Sequence, residues 1–131
     1  MIIDTSAILA IFFEESERFE FADVIGRTSA RKMSAATLLE SYIVIDRRSD
    51  AVAKRAFDSF IMGAITEVVP FTAEHASIAR RAYQVFGKGN GHPAGLNLGD
   101  CFAYALAKAT GEPLLFKGED FVHTDITNAR E

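Results

Sequence analysis

Short apolar runs with strand character alternate along this chain with longer segments of helical period, and that alternation leaves few folds open. The first run is Met1-Ile2-Ile3-Asp4, and a helix from Thr5 to Phe13 starts directly from it. Ser16 is placed to cap a second helix reaching Ile25, with Gly26 as its stop. Arg31 to Met33 form a short strand before Ser34, which caps a helix from Ala35 to about Arg48. Ser49 and Asp50 open another, whose Val52, Ala53, Ala56, Phe57, Phe60 and Ile61 recur at helical spacing until Gly63. Glu67 to Phe71 read as a strand, Thr72 as a cap, and Ala73 to Phe86 as a helix ending at Gly87. Asn97 caps a helix from Leu98 to Thr110, closed by Gly111, and Pro113 to Phe116 form the last strand.

Strands separated by helices of this length imply βαβ units, hence an α/β fold: a mostly parallel sheet of four to five strands with helices on both faces. At 131 residues the chain suits one compact domain over 1–131. With 49% hydrophobic and 24% charged residues it has the composition of a soluble protein, and no apolar run is long enough for a membrane span. Asp4 interrupts the initial apolar run, so no secretory signal is read there, and a cytoplasmic location is the expectation. The single Cys101 excludes an internal disulfide and suits a small buried hydrophobe; no Cys/His spacing matches a structural zinc site. The Gly-rich stretch Gly87 to Gly95 is expected to be a flexible loop, and it is not a phosphate-cradling loop, because Gly87-Lys88 is followed by glycine rather than Ser or Thr. No internal repeat or low-complexity tract is present.

Four acids carry the chemistry: Asp4, Glu40, Asp100 and Asp120. Asp4 ends the first strand and Asp120 follows the last, and in open α/β sheets sites lie outside the carboxyl ends of the strands. Glu40 shares a helical face with Ala36, Ile43 and Val44, and Asp100 shares one with Ala103, Tyr104 and Ala107, so both faces are expected to turn toward the sheet. Each acid also has a plain structural reading: Asp4 as a helix cap, Asp100 as a partner of a helix dipole, Glu40 in an ion pair with Arg47, Asp120 as a turn residue. Four such accidents at one end of one sheet are a poor explanation. Carboxylates about 4 Å apart repel by about 4 kcal/mol per pair at an effective dielectric near 20. Hard divalent cations, Mg2+ or Mn2+, relieve that repulsion and suit all-oxygen ligands. The chemistry they favour is phosphodiester hydrolysis. The net charge of −4 is accounted for by the four acids themselves and so does not argue against a polyanionic substrate.

The segments Ile2-Ile3-Asp4-Thr5-Ser6-Ala7, Leu38-Leu39-Glu40, Leu96-Asn97-Leu98-Gly99-Asp100-Cys101-Phe102-Ala103-Tyr104-Ala105-Leu106-Ala107 and Leu114-Leu115-Phe116-Lys117-Gly118-Glu119-Asp120-Phe121 resemble PIN domains, and more closely the VapC toxins of bacterial toxin-antitoxin pairs. The resemblance runs from the first residue to about Asp125. It implies a PIN-like α/β/α sandwich in which Asp4, Glu40, Asp100 and Asp120 ligate Mg2+ or Mn2+ and the Ser6 hydroxyl orients the Asp4 site. It further implies an endoribonuclease toxin acting on transfer or ribosomal RNA, a homodimer, and inhibition by a cognate VapB-type antitoxin, with DNA contacted only through that antitoxin. Glu119 and Asp125 lie close enough in sequence to share the role of Asp120. A catalytically silent module acting through antitoxin and operator is the alternative. A haloacid-dehalogenase-like phosphatase would need a second Asp where Ser6 stands. Around the pocket, His92 and His123 are candidate substrate or metal contacts, and Lys88 and Lys117 candidate phosphate contacts; His75 is expected on an exposed helix face. The pairs Arg47-Arg48, Lys54-Arg55 and Arg80-Arg81 read as solvated helix faces, and eleven phenylalanines suggest an apolar dimer or antitoxin surface.

Overall fold

A computed structural model of the chain describes residues 1–131. The elements run β1 (Ile2–Ile3), α1 (Thr5–Phe12), α2 (Arg18–Gly26), β2 (Lys32–Ser34), α3 (Ala35–Arg48), α4 (Ala51–Ala64), β3 (Glu67–Val69), α5 (Ala73–Phe86), α6 (Leu98–Thr110) and β4 (Leu114–Leu115), followed by a 3-10 turn at Phe121–His123. The four strands form one parallel sheet in the order β3-β2-β1-β4, with Ile2 opposite both Lys32 and Leu114. A single bridge from Leu114 to Asn128 extends the β4 edge.

β1, β2 and β4 are largely buried, whereas β3, at the edge of the sheet, is largely exposed. Alternating side chains send Ile3, Met33 and Leu115 into one core with α1, α2, α3 and α4, and Ile2 and Leu114 into a second core with α5 and α6. This is the α/β/α sandwich expected from the sequence. Phe12, Phe57, Phe60 and Tyr42 meet at edge and tilted angles in the first core, and Phe116 against Phe121 closes the second. The phenylalanines are thus largely consumed internally. Phe19 alone among them is strongly exposed, so the surface expected from their number is not built from them.

Helix ends follow the chain's own signals. Ser34, Asp50, Thr72 and Asn97 each accept a backbone N–H from the first turn of the helix they precede, and Gly111 takes the left-handed conformation that ends α6. There are two departures. α2 begins at Arg18 after Glu17, without a side-chain cap, and Ser16 lies one residue before that cap position. His75, expected at the surface, is 7% exposed and meets Phe71 edge-on at 6.1 Å, because α5 turns this position against the core.

β1 occupies the centre of the sheet, with β2 and β3 added on one side and β4 on the other. The connection therefore reverses direction between β1 and β4. A crevice opens at such a switch point, outside the carboxyl ends of the strands, and ligands bind there in folds of this kind. Asp4 leaves β1 at this point, and Lys117 to Asp120 leave β4 beside it.

Candidate active site

Asp4 is fixed first. It is 4% exposed, its N–H donates to the Leu115 carbonyl at 3.0 Å, and it caps α1 by accepting the Ser6 N–H at 3.0 Å and the Ser6 hydroxyl at 2.6 Å, both on Oδ2. Oδ1 is buried with no partner. Ser6 in turn accepts the Lys117 N–H at 2.9 Å, so its hydroxyl joins the end of β1 to the segment that follows β4. Burial raises the Asp4 carboxyl from 3.8 to about 6, against the lowering effect of the Ser6 bonds, and repulsion from Glu40 adds to the rise.

Glu40 sits on the second turn of α3, where Oε1 accepts the Thr5 hydroxyl at 2.7 Å. No ion pair with Arg47 forms. Its helix face differs from the expectation. Thr37, Ser41 and Ile45 are the buried residues of α3, whereas Ala36, Leu39, Glu40, Ile43 and Val44 line a groove against Asn97, Leu98 and Gly99. Glu40 therefore faces the start of α6 rather than the sheet. The register is set by the hydroxyls Thr37 and Ser41, which take the inner positions that an apolar pattern would assign to larger residues.

Asp100 lies in the first turn of α6 and forms a reciprocal capping box: its N–H donates to Asn97 Oδ1 at 2.9 Å and its Oδ2 accepts the Asn97 N–H at 3.0 Å. Its carboxyl is raised from 3.8 to about 7, first by burial, then by repulsion from Asp4, Asp120 and Glu40. The four acids thus share one electrostatic neighbourhood. Asp120 is exposed, at the entrance to the 3-10 turn, with no cap bond from its side chain. Asp125 is engaged elsewhere, accepting from Tyr104 Oη at 2.7 Å and pairing with Lys108 at 2.6 Å, so it does not share the place of Asp120.

The plain structural readings of Asp4 and Asp100 are therefore correct, and they account for only one oxygen of each carboxylate. Glu40 follows the same pattern through Thr5. A protein donor holds one oxygen of each of these three and leaves the other uncommitted. No lysine or arginine pairs with any of the four acids; Lys117 Nζ is held by Glu15 at 2.7 Å and Glu17 at 3.2 Å, and the amino terminus and Lys32 by Glu112. Lys117, expected as a phosphate contact, is thus tied to two carboxylates. No three Asp, Glu, His or Cys side chains are gathered tightly enough to make a closed coordination shell. The arrangement fits a hard cation that keeps much of its water, as Mg2+ does, better than one needing a full protein cage. Asp4, Glu40, Asp100 and Asp120 are the residues that could hold it.

The remaining candidates fall outside this centre. His92 Nδ1 accepts the Ala94 N–H at 3.1 Å and its ring meets Phe86 at 5.0 Å, so it braces its own loop. That Gly-rich loop is closed at its base by a bridge between Gly87 and Leu96, and Asn90 donates to the Tyr83 carbonyl at 2.7 Å. Lys88 and His123 are exposed. Cys101 is buried, and its thiol is pushed up to about 11 by that burial and by Asp100, as a packed, unreactive cysteine should be. The sequence reading passed over Thr5 and Gly99. Thr5 stands beside an acid already singled out, and Gly99 beside another, but nothing local announces that both meet Glu40.

A family model for the PIN domain matches residues 1–126. The chain is 50% identical over 129 residues to the Mycobacterium tuberculosis protein named Ribonuclease VapC28, covering 98% of this chain and 97% of that one. It is 46% identical over 126 residues to Ribonuclease VapC30 of the same species, covering 96% and 95%. Among solved structures it resembles Mycobacterium tuberculosis VapC20, described as a sarcin-ricin loop cleaving toxin, with a TM-score of 0.73 at 15% identity over 96% of this chain and 95% of that one. A toxin-antitoxin complex from Klebsiella pneumoniae gives a TM-score of 0.67 at 16% identity, covering 92% and 88%. With this sheet order, this group of mutually repelling acids and near full-length similarity, the chain belongs to the PIN-domain family, in its VapC ribonuclease branch.

Proposed function

We propose that the protein is a Mg2+- or Mn2+-dependent endoribonuclease and the toxin of a type II toxin-antitoxin pair. The observation that carries this reading is an acidic crevice at the switch point of the sheet with no basic side chain to neutralise it and a buried, unpartnered oxygen on Asp4. Such a site is electrostatically unfavourable alone and becomes favourable with a hard cation. Asp4, Glu40, Asp100 and Asp120 would hold the ion, which supplies an activated water and stabilises charge on the oxygens of an in-line displacement at phosphorus. The chain's own groups set the geometry: Ser6 aims Asp4, and Asn97 fixes Asp100 in the first turn of α6.

The relatives support an antitoxin partner. A structured RNA, transfer or ribosomal, is the substrate proposed here, in line with the sarcin-ricin loop named for VapC20. A VapB-type antitoxin that covers the acidic crevice, a homodimeric toxin and a cytoplasmic site of action complete the proposal, with DNA contacted only through the antitoxin. The test is direct. Protein freed of antitoxin is incubated with total RNA with Mn2+, with Mg2+ and with chelator. Cleavage should require the cation and fall at least about a hundredfold in Asp4→Asn and Asp100→Asn. Undiminished cutting by both variants would remove the proposed centre, and antitoxin binding without cleavage by the wild type would make the protein a silent regulatory module.

A further inference from the structure

Glu40 comes to the crevice from α3, a helix separate from the strand ends that carry Asp4 and Asp120, and two residues outside the acid set determine where its carboxylate stands. Thr5 is one. It is 7% exposed, directly follows Asp4, and its hydroxyl lies 2.7 Å from Glu40 Oε1, 3.1 Å from Ser41 Oγ and 3.3 Å from the Thr37 carbonyl. A hydroxyl has one proton to give. Ser41 spends its own on the Thr37 carbonyl at 3.0 Å, so the Thr5 proton goes to the nearest and only charged acceptor, Glu40, in a charge-assisted bond.

Gly99 is the other. A Cβ built on Gly99 would stand 1.6 Å from Glu40 Oε2 and 2.5 Å from its Cδ. Gly99 does not adopt a positive φ, so its backbone does not require glycine, and a glycine inside a helix costs about 0.5–1 kcal/mol relative to alanine. The residue is unfavourable for α6 and has one visible use there, which is to leave room for the Glu40 carboxylate.

We propose that Thr5 and Gly99 are positioning residues that clamp Glu40 from opposite sides, Thr5 by a hydrogen bond to one oxygen and Gly99 by leaving space for the other. This rests on the nuclease reading of Glu40. The clamp separates activity from folding: an added methyl at Gly99 displaces only the end of a flexible side chain, so Gly99→Ala should leave the fold intact and hold or raise the thermal midpoint while moving the carboxylate. Thr5→Val keeps shape and burial and removes the bond; Thr5→Ser keeps the bond.

The experiment compares wild type, Glu40→Gln, Gly99→Ala, Thr5→Val and Thr5→Ser in RNA cleavage, in Mn2+ binding by calorimetry, in thermal denaturation and in crystal structures. Gly99→Ala and Thr5→Val should lose about tenfold to a hundredfold in kcat and in Mn2+ affinity with RNA KM unchanged, and Thr5→Ser should recover most of the loss. The crystal structures should show the Glu40 carboxylate displaced in the first two variants. Full activity in Glu40→Gln would defeat the nuclease role of Glu40 and leave the clamp to be judged by the crystal structures. Loss in Glu40→Gln with wild-type kcat and Mn2+ affinity in both Gly99→Ala and Thr5→Val, or an unmoved carboxylate, would overturn the clamp alone. A Gly99→Ala protein whose activity falls only with its stability would overturn it as well.

Discussion

Asp4 concentrates the conflict between folding and function in a single side chain. Its carboxyl is buried, one oxygen has no donor, and its pKa stands near 6 against 3.8 in an open chain. The native state therefore keeps a proton that the unfolded state has lost, and stability must fall as pH rises from about 4 to about 6. Asp100, raised to about 7, continues the fall to neutrality. Glu112 and Asp125, both lowered by their cationic partners, act in the opposite sense, but at pH values below the ordinary carboxylate range. In cation-free buffer the urea midpoint should thus decline between pH 5 and 7. Asp4→Asn keeps an acceptor for Ser6 and removes the charge, so it should flatten the lower part of that decline and gain up to about 3 kcal/mol at pH 7. A profile identical to wild type would mean that the Asp4 carboxylate is solvated in the free protein. Ser6 and Asp4 were legible as a pair because they are neighbours in the chain; Thr5 and Glu40 were not, because their contact spans 35 positions and depends on how α3 is rolled.

At the scale of elements, the sequence was most legible where local chemistry decides the outcome. α3, α5 and α6 begin at the residues their caps dictate, Ser34, Thr72 and Asn97. It was least legible where tertiary contacts decide. α3 was expected to bury the face carrying Glu40, yet the small hydroxyls Thr37 and Ser41 pack inward and turn Glu40 toward α6. His75 is buried for a similar reason: α5 packs against α6, and only the assembled pair specifies which side is inner. The capping box of α6 joins helix stability to the site, since Asn97 secures the same turn that carries Asp100. Asn97→Ala should therefore destabilise the protein by about 1 kcal/mol in urea denaturation and weaken cation binding together, whereas Asn97→Ser, which retains a cap acceptor, should restore most of both. Loss of stability with unchanged Mn2+ affinity would separate the cap from the site.

For the whole molecule, the two cores meet at the sheet whose central strand ends in Asp4, so the least favourable electrostatic site lies at the mechanical centre of the fold. Cation binding and global stability must then be linked. An ion that binds the native crevice and not the unfolded chain stabilises by about 2.7 kcal/mol at a hundred times its dissociation constant. For a chain of this length that raises the thermal midpoint by roughly 8–11 °C. The increment should grow with pH across the range where Asp4 and Asp100 lose their protons, because the ion competes with those protons for the same oxygens. Mn2+ added at pH 7.5 should consequently raise the midpoint far more than at pH 5, and Asp100→Asn should shrink the response at both. Equal shifts at the two pH values, or a shift that survives Asp4→Asn and Asp100→Asn together, would place the ion at some other part of the surface and separate the stability of the fold from the chemistry of the crevice.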